Sequence, residues 1–137
     1  MVDYFRNKVI VITGASSGIG LASARNFASM GARLVLASRS LEKLEKIAEE
    51  LSAVSHQRSV LCVKTDVTKE EDCKNLIKRT VEYFGKIDIL VNNAGISMRA
   101  MFKDLDIEVI KKLMDTNFWG TVYCTKYALP YLLESKG

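Results

Sequence analysis

Residues 13 to 20 read Thr-Gly-Ala-Ser-Ser-Gly-Ile-Gly and follow directly on the apolar run Val9-Ile10-Val11-Ile12. A buried strand ending in a glycine-rich turn that opens a helix makes a cradle for a diphosphate. The first N–H groups of a helix have no partner within it, and its N-terminus carries partial positive charge. Gly14 permits the tight turn, Gly18 lets the backbone approach the phosphates, and Gly20 lets helix and strand pack closely. Without a ligand the segment would be a glycine-rich connection and no more. The strand before it and the amphipathic helix after it favour a dinucleotide site.

The elements that must position this turn are legible in the hydrophobic pattern. Short β-branched runs at 8–13, 33–38, 59–64 and 87–91 alternate with helical periodicity, and no internal repeat or Pro/Gly linker interrupts them. Each run is continuously apolar, as expected of a strand covered on both faces. Leu41, Leu44, Ala48 and Leu51 mark the second helix. Cys73, Leu76, Ile77, Thr80, Val81 and Phe84 form one stripe of the third. Gly31 and Gly85 stand where helices should end.

Right-handed crossovers then predict an α/β fold: a Rossmann-type parallel sheet of four strands in the order 3-2-1-4, with helices on both faces. From 106 to about 134 the pattern predicts one long helix, which Pro130 should bend or shorten. Ile107, Ile110, Met114, Asn117, Thr121 and Thr125 form a stripe of that helix. The Asn117 amide is therefore expected to face the sheet, either in a functional role or as a structural peg that kinks the helix.

Asp66-Val67 and Asn92-Asn93-Ala94-Gly95 follow the third and fourth strands, at the strand ends where an open α/β sheet binds its ligand. With the Thr13–Gly20 turn and Asn117, this set resembles the short-chain dehydrogenase/reductase family, and the likeness runs over essentially the whole chain in order and spacing. The resemblance implies that Gly14, Ser16, Ser17, Gly18, Ile19 and Gly20 cradle the phosphates and adjoining ribose. Asp66 and Val67 would contact the adenine, a role favoured over the alternative in which Asp66 makes an Asx turn or caps the helix 69–84, a cap for which Thr68 competes. Asn93, Ala94 and Gly95 would line the ribose and nicotinamide side. Asn117 would take part in catalysis by bending its helix and holding a water of the proton relay.

An NAD site usually carries an acid about twenty positions past the glycines, to accept from the ribose 2′-hydroxyl. Here the second strand ends Ala37-Ser38-Arg39-Ser40, with no acid. A guanidinium at Arg39 and hydroxyls at Ser38 or Ser40 suit a 2′-phosphate, so NADP(H) is expected over NAD(H). Ser17 stands where many NADP-preferring members carry a second basic residue, so the preference rests on Arg39.

In the resembling family a tyrosine protonates the carbonyl oxygen, a lysine four residues on lowers its pKa from about 10, and a serine polarises the carbonyl. Tyr4 and Lys8 have that spacing but precede the first strand, while Tyr123 and Lys126 are one residue short. The chain is thus expected to be a single domain, 1–137, truncated before the serine, tyrosine and lysine segment. It would hold the cofactor-binding half of an enzyme that reduces a carbonyl or oxidises an alcohol, and be inactive alone. The other reading is a non-catalytic dinucleotide-binding or oligomerisation module. Met98, Met101 and Phe102 would form an apolar wall for the substrate or pack under the long helix. His56 is expected to be a loop residue.

Composition narrows the partners. A length of 137 residues with 48% hydrophobic and 26% charged residues describes one globular domain. A net charge of +4 arises from cations interleaved with acids, which is a solvated surface and not a nucleic-acid stripe. Cys62, Cys73 and Cys124 are odd in number and form no C-x-x-C pair, so neither a disulfide framework nor a metal site is expected, and a cytoplasmic location follows. No apolar run is long enough to span a membrane or precede a signal cleavage. The fourth strand would be left with an open edge, and Trp119, Tyr123, Tyr127 and Tyr131 would face a partner. A homo-oligomer through helix 106–134 and that strand is expected.

Overall fold

In a computed structural model, residues 4–54 and 59–137 are described; His56 lies outside them. Four parallel strands, β1 (Val9–Thr13), β2 (Arg33–Ser38), β3 (Val60–Lys64) and β4 (Ile89–Val91), form one sheet in the order β3-β2-β1-β4. Helices α1 (Gly18–Ser29), α2 (Leu41–Val54) and α3 (Glu70–Phe84) connect them, and α4 (Ile107–Met114) and α5 (Gly120–Ser135) follow. The predicted fold class and strand order are those observed.

Alternation within the apolar strands divides the core in two. Val9, Val11, Val35 and Val63 face α3 and α5, where they meet Cys73, Leu76, Ile77, Cys124 and Ala128. Ile10, Ile12, Leu34 and Leu36 face α1 and α2, where they meet Ala24, Ala28, Leu44, Ile47 and Leu51. In α2 the buried line is therefore Leu44, Ile47 and Leu51; Leu41, in the first turn, is exposed. The small residues of α1 let that helix lie close to the sheet, which keeps its first turn directly behind the end of β1. Gly85 ends α3 in the left-handed conformation, φ 78°.

The long C-terminal helix differs from its predicted form. A single π turn, Asp115–Trp119, separates α4 from α5, and the Gly120 N–H reaches back five residues to the Asp115 carbonyl. The wider turn breaks the 100° phase for the residues at and beyond it, while α4 before it turns Ile107 and Met114 to solvent. Ile107, Met114, Asn117 and Thr121 are exposed, and the line that reaches the core is Gly120, Cys124 and Ala128. Tyr123, Tyr127 and Tyr131 pack partly against that core and are not a free aromatic face; the large apolar side chains exposed on the π turn and α5 are Phe118, Trp119, Leu129 and Leu133. Pro130 does not end the helix, which continues to Ser135.

At the opposite end of the sheet from the glycine turn, Asp88 is buried beside the start of β1. Its Oδ2 accepts from the Val9 N–H at 2.8 Å and pairs with Lys86 Nζ at 2.9 Å. Burial would raise its pKa, but the Val9 hydrogen bond and the Lys86 and Lys8 charges hold the carboxyl below the usual range. Tyr4 and Lys8 lie at this same end, the ammonium 5.3 Å from the ring centroid. That pair is a packing contact far from the strand C-termini.

Candidate cofactor and active site

The C-terminal ends of β1, β2, β3 and β4 open onto one large cavity of about 1250 Å³. Gly14, Ser16, Ser17, Gly18, Ile19, Ser38, Arg39, Ser40, Asp66, Val67, Asn93, Ala94 and Gly95, all expected from the sequence, line it. Gly20 does not line it but lies directly beneath.

The floor is built by mutual constraint between two segments. Gly14 has φ +64°, and a Cβ there would stand 2.8 Å from the Ala94 Cα. A Cβ on Gly20 would overlap the Gly14 carbonyl and the Asn93 amide. Asn93 Nδ2 donates to the carbonyls of Thr13 at 3.1 Å and Gly14 at 3.2 Å. In return Thr13 Oγ1 accepts from the N–H groups of Asn93 and Ala94, both at 3.0 Å. Asn93 is thus primarily a clamp on the glycine turn.

Gly18 behaves differently. Its φ is +55°, yet a Cβ would meet nothing within 4 Å, so it borders open space. Ser17 at the N-cap makes no side-chain capping bond, and no acid stands in the first turn of α1. Ile19 is 79% exposed at the rim of the cavity, which core packing does not explain. Open space, unfilled first-turn donors and an exposed apolar side chain together fit an anionic diphosphate with a planar ring beside it.

At the end of β2, Ser38 Oγ donates to the Ser40 carbonyl and accepts from the Ser40 N–H, both at 3.3 Å. Its proton is already committed to the backbone. Of the two hydroxyls expected to donate to a phosphate, only Ser40 keeps a free O–H, since its oxygen merely accepts from the Lys43 N–H at 3.4 Å. Arg39 is exposed on the same rim.

Beyond β3, Asp66 Oδ1 accepts from both the backbone N–H and the hydroxyl of Thr68, at 3.0 and 2.7 Å. The Asx-turn alternative is therefore realised at one carboxylate oxygen, and among the described residues none donates to the other. Partial burial would raise the Asp66 pKa, but the two Thr68 hydrogen bonds, with the charges of Lys69 and Arg39, bring it below the usual value. Val67 is held on its other side by Gly120, where a Cβ would come within 2.8 Å of Cγ2. Sequence reading did not single out Gly120; a glycine resuming a helix three residues past Asn117 was its only signal.

Asn117 sits inside the π turn, exposed to solvent and not buried against the sheet, for the phase reason given above. Its Oδ1 accepts from the Ile96 N–H at 2.9 Å and its Nδ2 donates to the Ile96 carbonyl at 2.8 Å. Asn92 Nδ2 adds a second tie, to Thr125 Oγ1 at 3.0 Å. The loop after β4 is thereby fastened to α5 and the π turn. Met98, Met101 and Phe102 are 53, 66 and 77% exposed, so they do not pack under the helix. Met98 lines the cavity directly. The cavity also takes in Lys43 of α2 and Glu108, Lys111, Lys112, Leu113 and Thr116 of α4 and the π turn, none of them singled out from the sequence. Among the described residues no cluster of three or more His, Cys, Asp or Glu could hold a metal, and no helix is long and apolar enough to cross a membrane.

Residues 8–137 match the family model described as short chain dehydrogenase. Over 131 residues the chain is 46% identical to 11-beta-hydroxysteroid dehydrogenase 1A of Arabidopsis thaliana, covering 95% of this chain and 37% of that protein. Among solved structures, an alcohol dehydrogenase from Thermococcus sibiricus complexed with 5-hydroxy-NADP superposes with a TM-score of 0.92 at 37% identity. It covers 96% of this chain and 56% of its own. A short chain dehydrogenase/reductase from Burkholderia phymatum in complex with NAD gives 0.90 at 32% identity, over 97% and 47%. The chain thus spans little more than a third of the curated relative's length.

Proposed function

The chain belongs to the short chain dehydrogenase family of oxidoreductases, and from that premise we propose that it is the cofactor-binding part of an NADP(H)-dependent enzyme that interconverts a carbonyl and an alcohol. The observation that carries the cofactor choice is Arg39. It stands at the end of β2 on the rim of the cavity that holds the glycine turn, where an NAD site would place a carboxylate. The bound nicotinamide would supply or take up the hydride. The first turn of α1 with Ser16 and Ser17 would hold the diphosphate, and Asp66 and the Val67 backbone the adenine. Ile19, Asn93, Ala94 and Gly95 would border the ribose and nicotinamide.

Asn117 would act by fixing the loop that carries Gly95 and Ile96 and by shaping the π turn beside the reacting centre. No tyrosine stands among the described residues that line the cavity, so residues 1–137 alone are expected to bind cofactor without turnover. The exposed Met98, at the cavity, and the neighbouring Met101 and Phe102 favour an apolar substrate. Self-association would use the exposed Phe118, Trp119, Leu129 and Leu133 and the outer edge of β4, in a cytoplasmic protein. Calorimetric titration with NADPH and NADH tests the reading: tighter NADPH binding is expected. Binding of neither by a folded sample, or tighter NADH binding, would overturn it.

A further inference from the structure

Resting on the NADP(H) reading above, we propose that Lys43 is a second specificity-determining cation, which with Arg39 holds the 2′-phosphate of the cofactor. A 2′-phosphate approaches a double negative charge near neutral pH, and a single guanidinium leaves it half-compensated. The sequence around the glycine turn offers no further base, because Ser17 occupies that place.

The structure supplies one from the other side. Lys43 lies in the first turn of α2 and lines the same cavity as Ser38, Arg39 and Ser40. Its place on that turn is fixed by a short relay of local bonds. Ser38 Oγ is bonded to the Ser40 backbone in both directions, and Ser40 Oγ caps the Lys43 N–H. The rim therefore presents Arg39, the free Ser40 O–H and Lys43 as neighbouring donors.

Two acids of α2 are paired with other cations. Glu42 pairs with Lys46 at 3.5 Å, and Glu50 pairs with Arg25 of α1 at 3.0 Å. Among the described residues Lys43 forms no ion pair. An exposed ammonium without an ion pair, four residues past Arg39 and at a helix N-terminus that already favours anions, gains far more from a doubly charged phosphate than from a neutral 2′-hydroxyl.

The test is calorimetric titration of the full chain and its Lys43→Ala, Lys43→Gln and Lys43→Arg variants with NADPH and with NADH at two salt concentrations. Lys43→Ala and Lys43→Gln should weaken NADPH binding about fivefold, the scale of one solvent-exposed charge pair, and leave NADH binding unchanged. The salt dependence of NADPH binding should become shallower, and Lys43→Arg should restore both. An unchanged NADPH affinity in the two neutral variants, or an equal loss for both cofactors, would overturn the role of Lys43 while leaving that of Arg39 standing. A wild-type chain that binds NADH as tightly as NADPH would instead sink the cofactor reading and this inference with it. The side chain is exposed, and matching melting temperatures would verify that the variants are folded.

Discussion

Asn117 grips Ile96 by both its N–H and its carbonyl, at 2.9 and 2.8 Å, so one side chain on a π turn fixes the backbone of the loop after β4. Removing it in Asn117→Ala should cost about 1 kcal/mol, the net worth of exchanging such bonds for water at an exposed site. Amide exchange at Ile96 should accelerate, because its protection comes from that one oxygen. Exchange at Ile96 as slow as in the wild type would show that the grip is not present in solution.

Two glycines of one turn should fail in different ways. Gly20→Ala drives a methyl group into the Gly14 carbonyl and the Asn93 amide, so stability should fall by about 2 kcal/mol or more. Gly18→Ala meets open space and carries only the strain of φ +55°, about 1 kcal/mol. The Gly18→Ala protein should fold and bind NADPH at least tenfold more weakly, since its methyl group would stand where the diphosphate is proposed. Denaturant unfolding paired with titration separates the two cases.

Asp88 predicts an acid-sensitive component of stability. Its folded pKa lies below that of the unfolded chain, so the carboxylate stabilises the fold above the unfolded value of about 4. That contribution is lost as pH falls through the folded value. Asp88→Asn should be less stable at neutral pH, and the difference from wild type should shrink on acidification. Asp88→Ala, which strands the Val9 N–H in the core, should cost about 2 kcal/mol. Urea midpoints measured from pH 7 to pH 3 would display both effects.

Reversing the charge at the rim should reverse the cofactor preference. Arg39→Asp should weaken NADPH binding by tenfold or more, through repulsion of the 2′-phosphate, and should strengthen NADH binding by supplying an acceptor for the 2′-hydroxyl. Parallel titrations with the two reduced cofactors are sufficient. Equal losses for both would place Arg39 outside the ribose site.

Two of the thiols, Cys62 and Cys73, should be slow to react in the folded protein. Burial and the Glu45 carboxylate push Cys62 up to about 11, while a hydrogen bond with Cys124 and burial raise Cys73 further. A disulfide-exchange reagent at pH 8 should label Cys62 and Cys73 only after denaturant is added. Rapid labelling in the native state would contradict the packing of α3 on the sheet for Cys73, and that of the opposite face, under α1 and α2, for Cys62.

Much of this was legible in the chain itself. Strands as apolar as Val9–Thr13 are buried on both faces and admit few topologies, and glycines at 14, 18 and 20 constrain the backbone before any contact is known. The helix around Asn117 was not, because periodicity assumes a constant turn and one π turn shifts every later residue. Lys43 was equally hidden: a lysine in a charged helix looks like solvent-facing surface until α2 is seen to start beside Arg39. The Ser38 hydroxyl looked free in sequence, since only the fold brings the Ser40 backbone onto it.

The Asn93 clamp has an evolutionary corollary. Because its amide binds Thr13 and Gly14 while Gly20 lies against that amide and the Gly14 carbonyl, the floor beneath the proposed diphosphate admits almost no variation. The rim made by Arg39, Ser40 and Lys43 is exposed and borders no such lock. Adaptation from one dinucleotide to another can therefore proceed by exchanging rim side chains, with the foundation inherited intact.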